Sequence, residues 1–269
     1  MNLLVKITWS LAMLLLLATA GQQPSFCQTT NPPDMVFVKG GQFKMGNAKA
    51  GGDEVPVHDV RLSDYYIGKY EVTVAQYRAF CNATGHSFPA PPPPKWYEEH
   101  DHAIKWQWND TYPIVNVSYF DAKAYCKWLS ETTGEKYDLP TEAQWEYAAR
   151  GGHQSKGFAY AGSNDIDEVA WYDETTNEKG VKQVGRLVPN ELGIYDMSGN
   201  VWEWCLDVYA KYSSGTQRDP QGPTRGEFRV VRGGCWYYVD DMATITVRDG
   251  PKPVEANFYY GFRVVKNKK

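Results

Sequence analysis

The sequence lacks an excess of either charge. Its 269 residues carry 28 Lys and Arg against 32 Asp and Glu, a formal net charge of −4. No basic block stands out, which argues against nucleic acid as the main partner. Histidine is scarce at five, as is cysteine at five. There is no G-x-S-x-G, no P-loop, no G-x-G-x-x-G opening a helix and no H-E-x-x-H. No repeat is visible, and no linker divides the chain in two. Long apolar runs are missing except at the N-terminus. Aromatics are plentiful: Trp 10, Tyr 19 and Phe 10. That load excludes a disordered chain and supplies a core of its own.

The N-terminal apolar run reads as a signal peptide over residues 1–20. Lys6 gives a positive start, Leu11 to Ala18 is apolar, and Ala18-Thr19-Ala20 precedes Gly21. A membrane span needs about 20 apolar residues, so no span is expected after cleavage. Residues 21–33 read as a flexible leader, and residues 34–269 as one domain. Cys27 follows Pro24-Ser25-Phe26, a poor context for lipidation. Export places the protein in an extracytoplasmic space, secreted or in the periplasm or cell envelope, where thiols oxidise. Cys81, Cys126, Cys205 and Cys235 then allow three pairings, and spacing does not choose among them.

Three helix starts are legible as capping boxes: Thr73 with Gln76, Ser118 with Asp121, and Thr141 with Gln144. Gly134 reads as a C-terminal stop. Met35 to Val38 and Gln42 to Met45 flank Gly40-Gly41, a hairpin signal. Further short strands are expected at Val57 to Leu62, Tyr65 to Lys69, Val201 to Trp204, Phe228 to Arg232 and Tyr260 to Val265. The fold class is α+β with much irregular structure. The Pro89 to Pro94 tract reads as a stiff surface loop. His100 and His102, in a polar segment between Trp96-Tyr97 and Trp106, read as solvated, since no third ligand stands at metal spacing.

Seven ordered blocks carry more. They are Met35 to Gly46, Glu71 to Tyr77, Pro113 to Ser118, Leu139 to Gly152, Asn190 to Trp204, Arg232 to Trp236, and Tyr260 to Arg263. Together they closely resemble the formylglycine-generating enzymes, also called sulfatase-modifying factors, over residues 34 to 266. The resemblance implies a single compact domain related to the C-type lectin fold. It implies an oxidase that converts a sulfatase cysteine to formylglycine at a copper ion held by two cysteines. Soft sulfur selects Cu(I). In this chain those two positions fall at Tyr238 and Ala243, Arg248 falls on the family's arginine, and Cys235 stands where the family has serine. No dithiolate can form there, so copper is not expected. Any catalytic role would rest on Cys235, Tyr238 and Arg248.

The resemblance further implies calcium near Ser198-Gly199-Asn200-Val201-Trp202-Glu203, with Asn200 and Glu203 as oxygen ligands; Asp173 is a weaker candidate for a second site. Read from the residues alone, Asn200 caps a turn and Glu203 pairs with an arginine such as Arg232. Cys205 and Cys235 are expected as a disulfide, with free thiols the alternative. Cys126 is a buried thiol or pairs with Cys81. The expected function is an exported binding module for a peptide, protein or glycan in the family's cleft. An oxidoreductase that modifies sulfatases or another protein with a rebuilt site is the second reading, and a structural lectin-like surface protein the third.

Overall fold

A computed structural model describes residues 32–91, 106–176 and 180–268. The signal segment, Cys27, almost all of the leader, and Trp96, Tyr97, His100 and His102 lie outside the described residues. Helices α1 (Val74–Thr84), α2 (Tyr119–Thr133) and α3 (Glu142–Ala149) each open on the expected capping box. In α1, Gln76 N donates to Thr73 Oγ1 at 3.3 Å and Thr73 N donates to Gln76 Oε1 at 3.0 Å. Two of the four orphan N–H groups of a helix start are satisfied in this way. Gly85 and Gly134 end α1 and α2 in the left-handed conformation. A short α4 (Asp173–Thr176) follows.

Eleven strands are present among the described residues. They are β1 (Met35–Val38), β2 (Gly41–Met45), β3 (His58–Leu62), β4 (Tyr65–Gly68), β5 (Tyr137–Asp138), β6 (Trp202–Val208), β7 (Gln217–Arg218), β8 (Arg229–Arg232), β9 (Arg248–Asp249), β10 (Tyr260–Gly261) and β11 (Val265–Asn267). They form three sheets, ordered β1-β4-β11-β5, β10-β6-β8-β9 and β2-β3-β7. The expected hairpin between β1 and β2 does not form: β1 pairs with β4 and β2 with β3. A two-residue hairpin turn needs positive φ at a central residue, and neither Gly40 nor Gly41 has it. Gly40 N donates instead to Asp64 Oδ1 at 2.9 Å as the chain changes sheet. The single strand expected over Tyr260 to Val265 is likewise two strands in two sheets.

β6 organises the core. Successive side chains of a strand point to opposite faces. Trp202 and Trp204 face α1 and α2 in one cluster, while Cys205 faces α3 and β1–β4 in another. α3 has no solvent face, since all its residues are buried, including Glu142, Gln144 and Glu146. Burying an aromatic of 150–250 Å² is worth on the order of 4–6 kcal/mol before entropy. Trp145, Trp202, Trp204 and Trp236 are all fully buried.

Gly199 precedes β6 with φ 76°, and a Cβ there would overlap the backbone carbonyl of Trp171. That carbonyl also accepts from Asn200 N at 2.7 Å. Gly134 has nearly the same φ, 74°, with open space around it. Both Gly→Ala changes carry the left-handed cost of about 1–2 kcal/mol. Gly199→Ala is expected to cost at least about 2 kcal/mol more than Gly134→Ala in urea unfolding; equal losses would refute the clash.

Candidate functional site

Two buried ionic groups flank Trp145, the centre of α3. In the first, Arg248 of β9 donates to both oxygens of Glu142, at 2.7 Å each. Arg232 of β8 reaches Glu146 at 2.5 Å and Glu142 at 3.4 Å. Glu146 also accepts from Gly46 N and Arg150 Nε, both at 2.9 Å. Burial alone would raise the Glu146 pKa; Arg232, Arg150 and the Gly46 N–H hold it below the usual carboxylate value.

The second group lies at the start of β6. Glu203 is fully buried and accepts from Arg263 at 2.6 and 2.7 Å and from Trp145 Nε1 at 2.8 Å. From the residues alone Glu203 pairs with an arginine such as Arg232; in the structure its partner is an arginine, Arg263. Asn200 has φ 57°. Its Oδ1 accepts from Lys182 N at 2.9 Å, and its Nδ2 donates to Glu71 Oε2 at 2.8 Å. Asp196 accepts from Gly185 N at 2.6 Å.

Glu71, Asp196 and Glu203 thus surround one guanidinium, that of Arg263. Glu71 Oε1 and Asp196 Oδ1 are buried with no hydrogen-bond partner among the described residues. Burial pushes the Asp196 carboxyl up to about 6 and the Glu71 carboxyl well above its usual value. The expected calcium ligands are therefore adjacent but unequally placed. Glu203 spends both oxygens on protein donors and is not free to hold a cation. Glu71 and Asp196 carry the free oxygens, although among the described residues no group of three or more His, Cys, Asp or Glu stands together as a metal-binding set. Both stand in quoted sequence blocks; the signal that could have found them is an acid set in an otherwise apolar or turn segment. Asp173 starts α4, where its Oδ1 accepts from Glu174 N at 2.7 Å.

The positions where the resemblance places copper sulfur lie elsewhere. Tyr238 is half-buried, with its ring 6.4 Å from Trp202 and 5.6 Å from Tyr259. Ala243 is buried at the end of a 3₁₀ turn. Cys235 is buried, and burial pushes its thiol far up although the N–H groups of Tyr237 and Tyr238 oppose it. A thiol held protonated is not a nucleophile. Arg248, read as a catalytic candidate, is the counter-ion of Glu142.

The chain matches the sulfatase-modifying factor enzyme 1-like domain over residues 19–268. It belongs to that family. A full-length relative is the chaperone protein LppX of Paenibacillus barcinonensis, 34% identical, with 96% of this chain and 99% of LppX covered. The formylglycine-generating enzyme of Streptomyces coelicolor is 31% identical over 85% of this chain and 87% of its own. The chain also matches the serine/threonine-protein kinase pkn1 of Chlamydia pneumoniae at 31% identity, but spans only 38% of that protein's length. Among solved structures, PvdO from Pseudomonas aeruginosa superposes with a TM-score of 0.72 at 28% identity, over 88% of this chain and 95% of that one. The α+β, single-domain fold read from the sequence blocks is that of the sulfatase-modifying factor family.

The expected Cys205–Cys235 disulfide does not form, and of the two readings of Cys126 the structure has the buried thiol. Cys81, Cys126, Cys205 and Cys235 are all free and buried. The alternation of β6 explains the first pair. Cys205 faces the α3 cluster, whereas Cys235 packs in the α1–α2 cluster with Trp202 and Trp204. Thiol labelling in denaturant without reductant should modify all four of these cysteines; recovery of a linked pair would refute the arrangement.

Proposed function

We propose that this protein is a sulfatase-modifying-factor-like domain that holds a polypeptide rather than oxidising one. The observation that carries the reading is the pair Tyr238 and Ala243 at the positions the resemblance gives to copper sulfur. A phenol and a methyl group supply no thiolate, and Cys235, the thiol beside Tyr238, is buried with its pKa pushed far up. The LppX relative, matched along nearly its whole length, is named a chaperone; this favours a peptide or protein as ligand over a glycan. The N-terminal signal supports an extracytoplasmic setting.

Incubation with a sulfatase peptide, copper and oxygen is expected to leave the peptide cysteine unchanged. Stoichiometric addition to an unfolded client is expected to suppress its aggregation. Robust peptide oxidation, or aggregation at the rate of an inert control protein, would overturn the reading.

We further propose that a structural Ca²⁺ neutralises the buried carboxylates, held by Glu71 and Asp196 with the oxygens near Asn200. Three carboxyls facing one arginine support it, because such burial leaves negative charge that only protons or a cation can offset. A ligand bound only by the native state raises its stability. Calcium is expected to raise the melting temperature of the chelated protein by several degrees, and Asp196→Asn is expected to abolish the shift. An unmoved melting curve would refute the metal.

A further inference from the structure

A cavity of about 420 Å³ opens at the far end of β6, beside the Glu142–Arg248 pair. Neither the sequence blocks nor the proposed calcium site accounts for it. Asp207, at 4% exposure, lines it. Its Oδ2 accepts from Glu142 N at 2.9 Å, at the first residue of α3. No side chain donates to Asp207 among the described residues, and no cation pairs with it. Arg248 lies close but gives Nε and Nη2 to Glu142 and Nη1 to Ala210 O and Asp53 O. Tyr212 likewise gives its hydroxyl to Glu142 at 3.0 Å.

His58 lines the same cavity at 4% exposure. Its Nδ1 lies 3.0 Å from Pro56 O. A carbonyl only accepts, so Nδ1 carries the proton and Nε2 is the acceptor of the neutral ring. Nε2 has no partner among the described residues. The built wall therefore offers two acceptors, a carboxylate and an imidazole nitrogen. Arg248, the arginine that lines the cavity, gives its Nε, Nη1 and Nη2 groups to other acceptors. Exposed Lys211 stands at the rim.

We infer that this cavity receives the cationic end of a polypeptide side chain, an ammonium or guanidinium group, with Asp207 Oδ1 and His58 Nε2 as its acceptors. Several N–H donors on one small cation match two separate acceptors better than a hydroxyl does. A buried carboxylate with no cation beside it to neutralise it is costly, and a cation entering from solvent removes that cost. Burial and the nearby Glu142 charge push the Asp207 carboxyl up to about 7, so the empty cavity holds much of it protonated at neutral pH. The source of the cation, a bound polypeptide, rests on the reading given under Proposed function.

The test is titration of the full chain with Nα-acetyl-lysine N-methylamide and its arginine counterpart, followed by NMR or calorimetry. Saturable binding is expected, and acetylation of the lysine Nζ should abolish it. Asp207→Asn should weaken binding at least about tenfold. The affinity of the wild-type chain should rise about tenfold between pH 6 and pH 8, as Asp207 ionises. Equal binding of the acetylated probe, or no saturation at millimolar concentrations, would overturn the proposal even if Asp207→Asn failed to fold. Spermidine that binds far more tightly than a lysine-bearing peptide would overturn the polypeptide source. Probe binding together with failure to suppress client aggregation would sink the polypeptide-holding reading and leave the cation pocket standing.

Discussion

Helix α3 can be buried only because arginines from other elements meet its carboxylates. Glu142 and Glu146 sit on a helix with no solvent face, where an uncompensated charge would cost several kcal/mol. Arg232 and Arg248, from adjacent strands of one sheet, neutralise them across the interior. The constraint is mutual, since each arginine is as buried as its partner. Trp145 lies between this pair set and the Glu203–Arg263 pair, with its indole N–H on Glu203 and the Arg232 guanidinium 5.3 Å from its ring centre. The β10-β6-β8-β9 sheet and the segment between β10 and β11 are thereby fastened to one short helix.

The same arrangement explains where chemistry is available. Most buried charges are matched, so they are structural. Among the described residues, unmatched acids remain at Glu54 and, along β6, in two places: the Glu71–Asp196 cluster before it and Asp207 near its end. Both depend on β6, whose odd-numbered residues Glu203, Cys205 and Asp207 face away from the two tryptophans. The region of Cys235 and Tyr238 is different in kind. It is aromatic, with Trp202, Tyr237, Tyr238 and Tyr259 in edge contacts, and its thiol is held protonated.

Much of the scaffold was legible from local sequence. A capping box concerns residues three apart, so Thr73, Ser118 and Thr141 announced their helices without tertiary help. The ordered Trp- and Gly-containing blocks carried the family. Hairpin pairing was not legible, because Gly40-Gly41 has the composition of a turn but the backbone of a crossing. The partner of Glu203 was not legible either. Arg232 is its neighbour across the β6–β8 ladder, yet the side chain that reaches it is Arg263, from the segment between β10 and β11. Strand register alone does not say which guanidinium shares the face of a carboxylate.

By itself the sequence determined the helix starts, the α+β class, the family and the absence of sulfur at Tyr238 and Ala243. These follow from residue identity and short spacing. Tertiary structure alone decided that Cys205 and Cys235 stay apart, because Cys205 packs in the α3 cluster and Cys235 in the α1–α2 cluster. It also decided which acids are spent on arginines and which remain free. Charge compensation in a core is a matter of distance in space, and residues 60 or 106 positions apart settle it.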